Sequence, residues 1–426
     1  MQWSKALALL VAVIAPPASA SVQDGPPFTD ALRAARLAIT VEGRKLAGPG
    51  GEAIRAATLH AQFVLLGEDH GISQIPQFAA ALCTQLAPLG FHRIELEISP
   101  SVAPTLERIA RAPDGAAQLA AFDKRYPDSI AFYTWREEFE FLQACEKSSS
   151  QGYEIRGLDQ DFIGDSTYVL TQISELKLRP LAKPAVEQLL VQDKAARHAA
   201  EQSGNPGDLL LIAAKQEELD RVADILRREG PAEAAVLFDS LLASRSIYEQ
   251  IFAGAGYASN RERAKLMKRL FRADYVDTQS RDAAPAKVVF KFGAYHVGRG
   301  MNGLHSSEIG DYVSELAEGR GQASVHILIF GVKGTQSQFA GIGKPYAVVK
   351  LDATSDSNSQ LAWAKPLIGN LLDKSWTLFD VRSLRDKFGN YHGVDPELER
   401  MVFAYDFVIL IPEPSASHPL ASAGSK

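Results

Sequence analysis

Short apolar, β-branched runs alternate with longer stretches of helical spacing over most of this chain. The runs are Phe63 to Leu66, Arg93 to Ile98, Tyr153 to Leu158, Val288 to Phe292, Val325 to Phe330, Trp376 to Val381 and Phe407 to Ile411. Such alternation predicts an α/β fold, with a mainly parallel central sheet flanked by crossover helices. The first crossover is the clearest: Ile75 to Leu86 carries apolar residues at helical spacing, ends near Pro88-Leu89-Gly90, and leads straight into the second strand.

Between Tyr168 and Arg281 the pattern changes. No strand is evident, and the charged amphipathic segments Gly207 to Glu229, Ala232 to Ala253 and Arg261 to Phe271 are punctuated by Pro180, Pro184, Gly204-Asn205-Pro206 and Gly230-Pro231. This predicts a helical insertion over 168–285 that covers the carboxyl ends of the strands. It divides the α/β domain into 21–167 and 286–411. Residues 412–426, rich in Pro, Ser and Ala, are expected to form a disordered tail.

The N-terminus adds a localisation. Lys5 precedes an apolar run from Ala6 to Ala15 and then Ala18-Ser19-Ala20, the pattern of a signal peptide over 1–20. The expectation is a periplasmic or secreted protein. No later stretch approaches the roughly 20 apolar residues of a spanning helix, so stable membrane insertion is not expected. The formal charge of −6 is spread without a basic stripe, which argues against nucleic acid as a partner and leaves a small-molecule or cell-envelope substrate. Cys83 and Cys145 have no CxxC partner, which speaks against zinc or thiol redox chemistry. A bridge between them would contribute about 4 kcal/mol in the chain-entropy model, but the sequence leaves the pairing open.

In a parallel sheet, ligands bind beyond the carboxyl ends of the strands, so polar residues just past each apolar run form a natural set. The first run leads to Gly67-Glu68-Asp69-His70-Gly71, the second holds Glu95 and Glu97, the third ends at Gly157-Leu158-Asp159-Gln160-Asp161, and the Val288 run leads to Gly293-Ala294-Tyr295-His296. Neighbouring strand ends would bring Glu68, His70, Glu97, Asp159 and His296 into one cleft. Lys291 is expected to neutralise Glu95, which frees Glu97 for the site. Tyr295, Arg263 and Arg299 are candidates for substrate binding.

Two mechanisms use these residue types. Either His70 or His296 is a general base for water attacking an acyl centre, or His70, His296 and Glu68 bind a divalent metal that activates water. The sequence does not separate them. A serine mechanism lacks a Gly-x-Ser-x-Gly elbow, and the glycines from Gly293 to Gly303 lack the order of a nucleotide-binding loop.

Four stretches, in order, resemble the superfamily of erythromycin esterases, haem-binding iron-regulated lipoproteins and Tiki/TraB-type proteins. They are Val64 to Gly71, Ile94 to Glu97, Ile155 to Asp159 and Lys291 to His296. The segments Tyr133 to Glu138, Arg263 to Met267 and Gly310-Asp311-Tyr312 are similar too, so the resemblance spans roughly residues 55 to 410. It implies an esterase-like hydrolase in which His70 is the base and Glu68, Glu97 and His296 are its partners. The Gly-Glu-x-His spacing looks more like the haem-binding branch, which implies the alternative of a haem- or metal-binding protein without turnover.

Overall fold

The computed structural model describes residues 28–278, 285–344, 346–355, 359–373 and 375–420. The signal segment expected over 1–20 lies outside them. Eleven strands occur among these residues: β1 Arg36–Glu42, β2 Lys45–Ala47, β3 Ala61–Glu68, β4 Phe91–Leu96, β5 Glu154–Gly157, β6 Lys287–Gly293, β7 Ala323–Gly331, β8 Lys333–Gln338, β9 Ala347–Asp352, β10 Trp376–Asp380 and β11 Phe407–Ile411. Nine of them form one sheet in the order β2-β1-β10-β11-β7-β3-β6-β4-β5. From β11 to β5 every pairing is parallel, and β10, β1 and β2 extend the other edge antiparallel.

Burial on both faces explains why these strands read as continuous apolar runs. All eight residues of β3 are buried. Its alternate side chains serve different cores: Val64 and Leu66 pack with Ile75, Phe78 and Leu82 of the crossover helix Gln74–Leu86, while Phe63 and Leu65 pack with Phe271, Phe290 and Leu328. Cys83 of that helix is bonded to Cys145 of the helix Arg136–Lys147, with Cα atoms 5.3 Å apart.

All seven runs become strands, but the sheet contains more than they announce. The Trp376 run pairs antiparallel to β11, and β1 with β2 forms a hairpin at the edge. A further hairpin, β8 with β9, stands apart as its own two-stranded sheet. Its sequence Lys333-Gly-Thr-Gln-Ser-Gln has no apolar alternation, so pairing rather than burial defines it.

The C-terminal segment departs from expectation. Residues 412–420, expected to be disordered, are ordered: Ser73 N–H donates to the Ser415 carbonyl at 2.8 Å, Arg136 N–H donates to the His418 carbonyl at 2.8 Å, and Ser417 is buried. Composition failed here because the segment's polar backbone finds partners on neighbouring loops. One glycine allows the approach: a Cβ on Gly334 would stand 2.0 Å from the Pro414 carbonyl oxygen.

Between β5 and β6 the chain is helical, with major helices Ser166–Glu175, Ala182–Ser203, Gln216–Glu229, Ala232–Phe252 and Gly256–Phe271. The first four enclose a core of their own, including Val169, Leu189, Leu226 and Phe238. They meet the carboxyl end of β5 through Asp161, which accepts hydrogen bonds from Ser240 (2.6 Å) and Ser244 (3.1 Å). No helix among the described residues is long and apolar enough to cross a membrane.

Candidate active site

Strand register decides which side chains meet. Leu66 of β3 and Leu96 of β4 both pair with Lys291 of β6, so Glu68, two residues past Leu66, stands on the same face as Lys291. Lys291 Nζ donates to Glu68 at 2.6 Å and to Glu138 at 2.9 Å, beneath the rings of Tyr133 and Phe141. Glu95 pairs in register with Phe290, one position away, and so faces the other side of the sheet. There Arg93 holds it at 2.6 Å, which corrects the expected Lys291–Glu95 pair.

The two imidazoles expected to meet do so across one carboxylate. His70 Nε2 is 3.4 Å from Glu97 Oε2, and His296 Nε2 is 3.5 Å from Glu97 Oε1. Gly293 N–H donates to Glu97 Oε2 at 2.6 Å and fixes that carboxylate at the end of β6. The other nitrogen of each ring faces a second acid: His70 Nδ1 lies 2.8 Å from Glu68 Oε1, and His296 Nδ1 lies 3.2 Å from Glu308 Oε2. Phe132 stacks on the His70 ring at 3.9 Å.

The two rings have different hydrogen-bond partners. Burial works against charge on His70, but Glu97 and Glu68 outweigh it and raise its pKa to about 10. The ring is therefore an imidazolium at neutral pH. Burial likewise opposes charge on Glu68 and Glu97, yet Lys291 holds the first below the usual carboxylate range, and the cations Arg263 and His70 help hold the second well below it. At His296 the assignment comes from donor chemistry. Arg263 Nη1 lies 3.2 Å from Nε2, and a guanidinium only donates, so Nε2 is the acceptor and the Nδ1–H points at Glu308.

Arg263 comes from the inserted helix Gly256–Phe271 and is part of the cluster rather than a free substrate ligand. Its guanidinium donates to Glu97 at 2.7 Å and to both oxygens of Asp159. Asp159 is thus the anchor of Arg263 and does not line the cavity. Tyr295 does line it. Arg299, expected at the site, turns away to Asp406 (2.8 Å) and the Ser324 carbonyl (2.9 Å), since Asp406 lies buried at the start of β11 and needs the cation.

Two acids of the site were not anticipated as functional. Glu138 sits in a stretch quoted only for its similarity, and Glu308 follows the glycine-rich loop with no spacing signal that points back to His296. Glu138 is fully buried, and burial raises its pKa to about 7 against the pull of Lys291.

The expected metal set does not fit. Glu68 Oε1 already accepts from Lys291 and His70, and the Arg263 guanidinium occupies the approach to His296 Nε2. Among the described residues no group of three His, Cys, Asp or Glu side chains is arranged to hold a metal. Axial ligation of haem by His70 would likewise need a free ring nitrogen, whereas both of its nitrogens face carboxylates.

The cluster forms one end of a cavity of about 890 Å³, continued by the end of β7, the β8–β9 hairpin and the helix Pro396–Ala404. The fold has solved counterparts. EreC, an erythromycin esterase solved as a mutant in its open conformation, superposes with a TM-score of 0.63 over 91% of this chain and 99% of its own, at 17% identity.

This chain has the erythromycin esterase-like fold.

A succinoglycan biosynthesis protein (TM-score 0.55, 14% identity, 92% of this chain and 97% of that one) and a Bacillus cereus protein (0.56, 12%, 92% and 98%) also match. No family model and no curated protein sequence matches. The likeness is one of erythromycin esterase-like architecture, and the chemistry has to be argued from the side chains.

Proposed function

We propose that this chain is a hydrolase that adds water to the carbonyl carbon of an ester, lactone or amide, with His296 as general base and His70 as a cationic hydrogen-bond donor. One observation carries the reading: two imidazoles share Glu97, yet one is held as imidazolium between two carboxylates while the other turns a basic nitrogen toward a guanidinium. The esterase-like fold supports the same class.

In this scheme water displaces the Arg263 guanidinium from His296 Nε2, which takes a proton from that water as its oxygen attacks the carbonyl, and Glu308 stabilises the imidazolium that forms through Nδ1–H. Arg263, anchored by Asp159, holds Glu97 in place. His70, charged before the reaction begins, turns its Nε2–H from the longer contact with Glu97 (3.4 Å) to the oxyanion of the tetrahedral intermediate, while Glu68 with Lys291 keeps its ring oriented through Nδ1–H. Collapse breaks the bond to the leaving oxygen or nitrogen, which takes the proton held by His296. The roles implied by resemblance, with His70 as base, are therefore exchanged. Action in the cell envelope is part of the proposal, supported by the Cys83–Cys145 disulfide.

The test is a panel of activated esters, lactones and anilides with the purified protein. Wild type turns over at least one class, and His296→Ala, His70→Ala and Glu68→Gln each lower kcat by about 10²–10⁴ with unchanged circular dichroism. Wild-type rates in all three variants would refute the assignment, and loss of activity on chelation would refute the metal-free chemistry.

A further inference from the structure

Beyond the acid–imidazole cluster, one side of the cavity is apolar. Leu328 and Phe330 at the end of β7, Leu361 and Trp363 of the turn Ser359–Ala364, and Met401 of the helix Pro396–Ala404 line it together. Trp363 packs edge-on to Phe330, with centroids 5.6 Å apart. Such a surface receives the hydrocarbon body of a ligand.

Most charged groups on the same wall have partners. Asp69 accepts from Gln336 at 2.7 Å, Asp352 is paired with Lys333 at 3.0 Å and bonded to Thr354, and Arg400 is held by both oxygens of Glu397. The carboxylates of the cluster, Glu68 and Glu97, are matched by Lys291, His70 and Arg263. Lys350, an exposed residue of β9, lines the cavity and has no hydrogen-bond or ion-pair partner among the described residues. Its ammonium is the unpaired cation of this wall.

We infer that the cavity selects substrates in which an anionic group, a carboxylate or phosphate, is joined to an apolar body, with the anion placed at Lys350 and the body against Leu328, Phe330, Leu361, Trp363 and Met401. This rests on the hydrolase reading of the same site. An anionic group answers Lys350, whereas a cationic substrate would place like charges together on an apolar wall.

The test uses three para-nitrophenyl esters of one chain length, ending in a carboxylate, a methyl group or a trimethylammonium group. Binding is measured separately by quenching of tryptophan fluorescence, with dodecyl phosphate and dodecyltrimethylammonium below their micellar concentrations. For a partly solvated ion pair, the expected preference of anion over cation is about fivefold in kcat/KM, expressed in KM, and about fivefold in Kd. Lys350→Glu should reverse both ratios, and high salt should shrink them. Equal treatment of anion and cation, or a ratio that survives Lys350→Glu, would overturn the inference. The two readings fail differently. If dodecyl phosphate is preferred but no ester is cleaved, the hydrolase reading falls and anion selection stands; if the esters are cleaved without charge preference, the reverse holds.

Discussion

Replacing Glu97 by Gln removes the charge that two imidazoles and a guanidinium share, while keeping the length of the side chain. Of the interactions that hold the proton on His70, the charge of Glu97 is the largest single one, and with Glu68 it raises the pKa from 6.5 to about 10. At roughly 1.4 kcal/mol per tenfold change, that difference corresponds to about 5 kcal/mol between the charged and neutral ring. The ring is 23% exposed on the cavity side, so solvent screens part of this, leaving about 3 kcal/mol in the folded protein. Because the folded value is raised, the pairing stabilises the protein fully below pH 6.5, and the contribution is lost as pH rises through about 10. The assay combines NMR titration of the imidazole C–H resonances, assigned with His70→Ala, and urea denaturation across that pH window. In wild type the His70 resonance stays at its charged position at neutral pH, unfolding free energy falls by about 3 kcal/mol between the two values, and kcat/KM declines as His70 deprotonates. In Glu97→Gln the titration moves down toward 6.5 and the stability slope flattens. A wild-type resonance titrating near 6.5, or coincident titrations in the two proteins, would refute the charge assignment and with it the division of roles between the imidazoles.

Three further outcomes follow from the same geometry. Lys291→Met leaves Glu68 and Glu138 buried without their cation and should cost about 3–5 kcal/mol in urea denaturation. Lys291 holds the Glu68 carboxyl below its ordinary 4.5, so the wild-type contribution is present above that pH and lost as pH falls, and the variant's deficit should narrow in acid; a deficit constant with pH would contradict this. Arg263→Ala removes the partner of both Asp159 and Glu97 and should lower kcat by at least about 10²; Arg263→Lys, which restores charge but not the fork that reaches both carboxylates, should recover stability more than rate. Reduction, or the double change Cys83→Ser and Cys145→Ser, should lower stability by about 4 kcal/mol without changing kcat, while mass spectrometry of the native protein finds no free thiol.

Much of the architecture was legible because burial on both faces writes itself into sequence. β3, β6, β7 and β11 are dominated by apolar residues, and Glu68, Glu97 and His296 fall at or just past strand ends, where a parallel sheet gathers polar residues. Elements held by pairing alone were not legible: the β8–β9 hairpin and the ordered segment 412–420 have compositions that otherwise read as loop.

The order of the strand-end motifs along the chain was enough to bring His70 and His296 to one carboxylate. Which residue neutralises which was beyond it. A shift of one residue in strand register turns a side chain to the opposite face, so the preference of Lys291 for Glu68 and Glu138 over Glu95 exists only once β3, β4 and β6 are aligned. The inserted helix that delivers Arg263, and the loop that returns Glu308 to His296, are likewise properties of the folded chain. Protonation depends on such neighbours, and through them tertiary structure alone made one imidazole a cation and left the other its basic nitrogen.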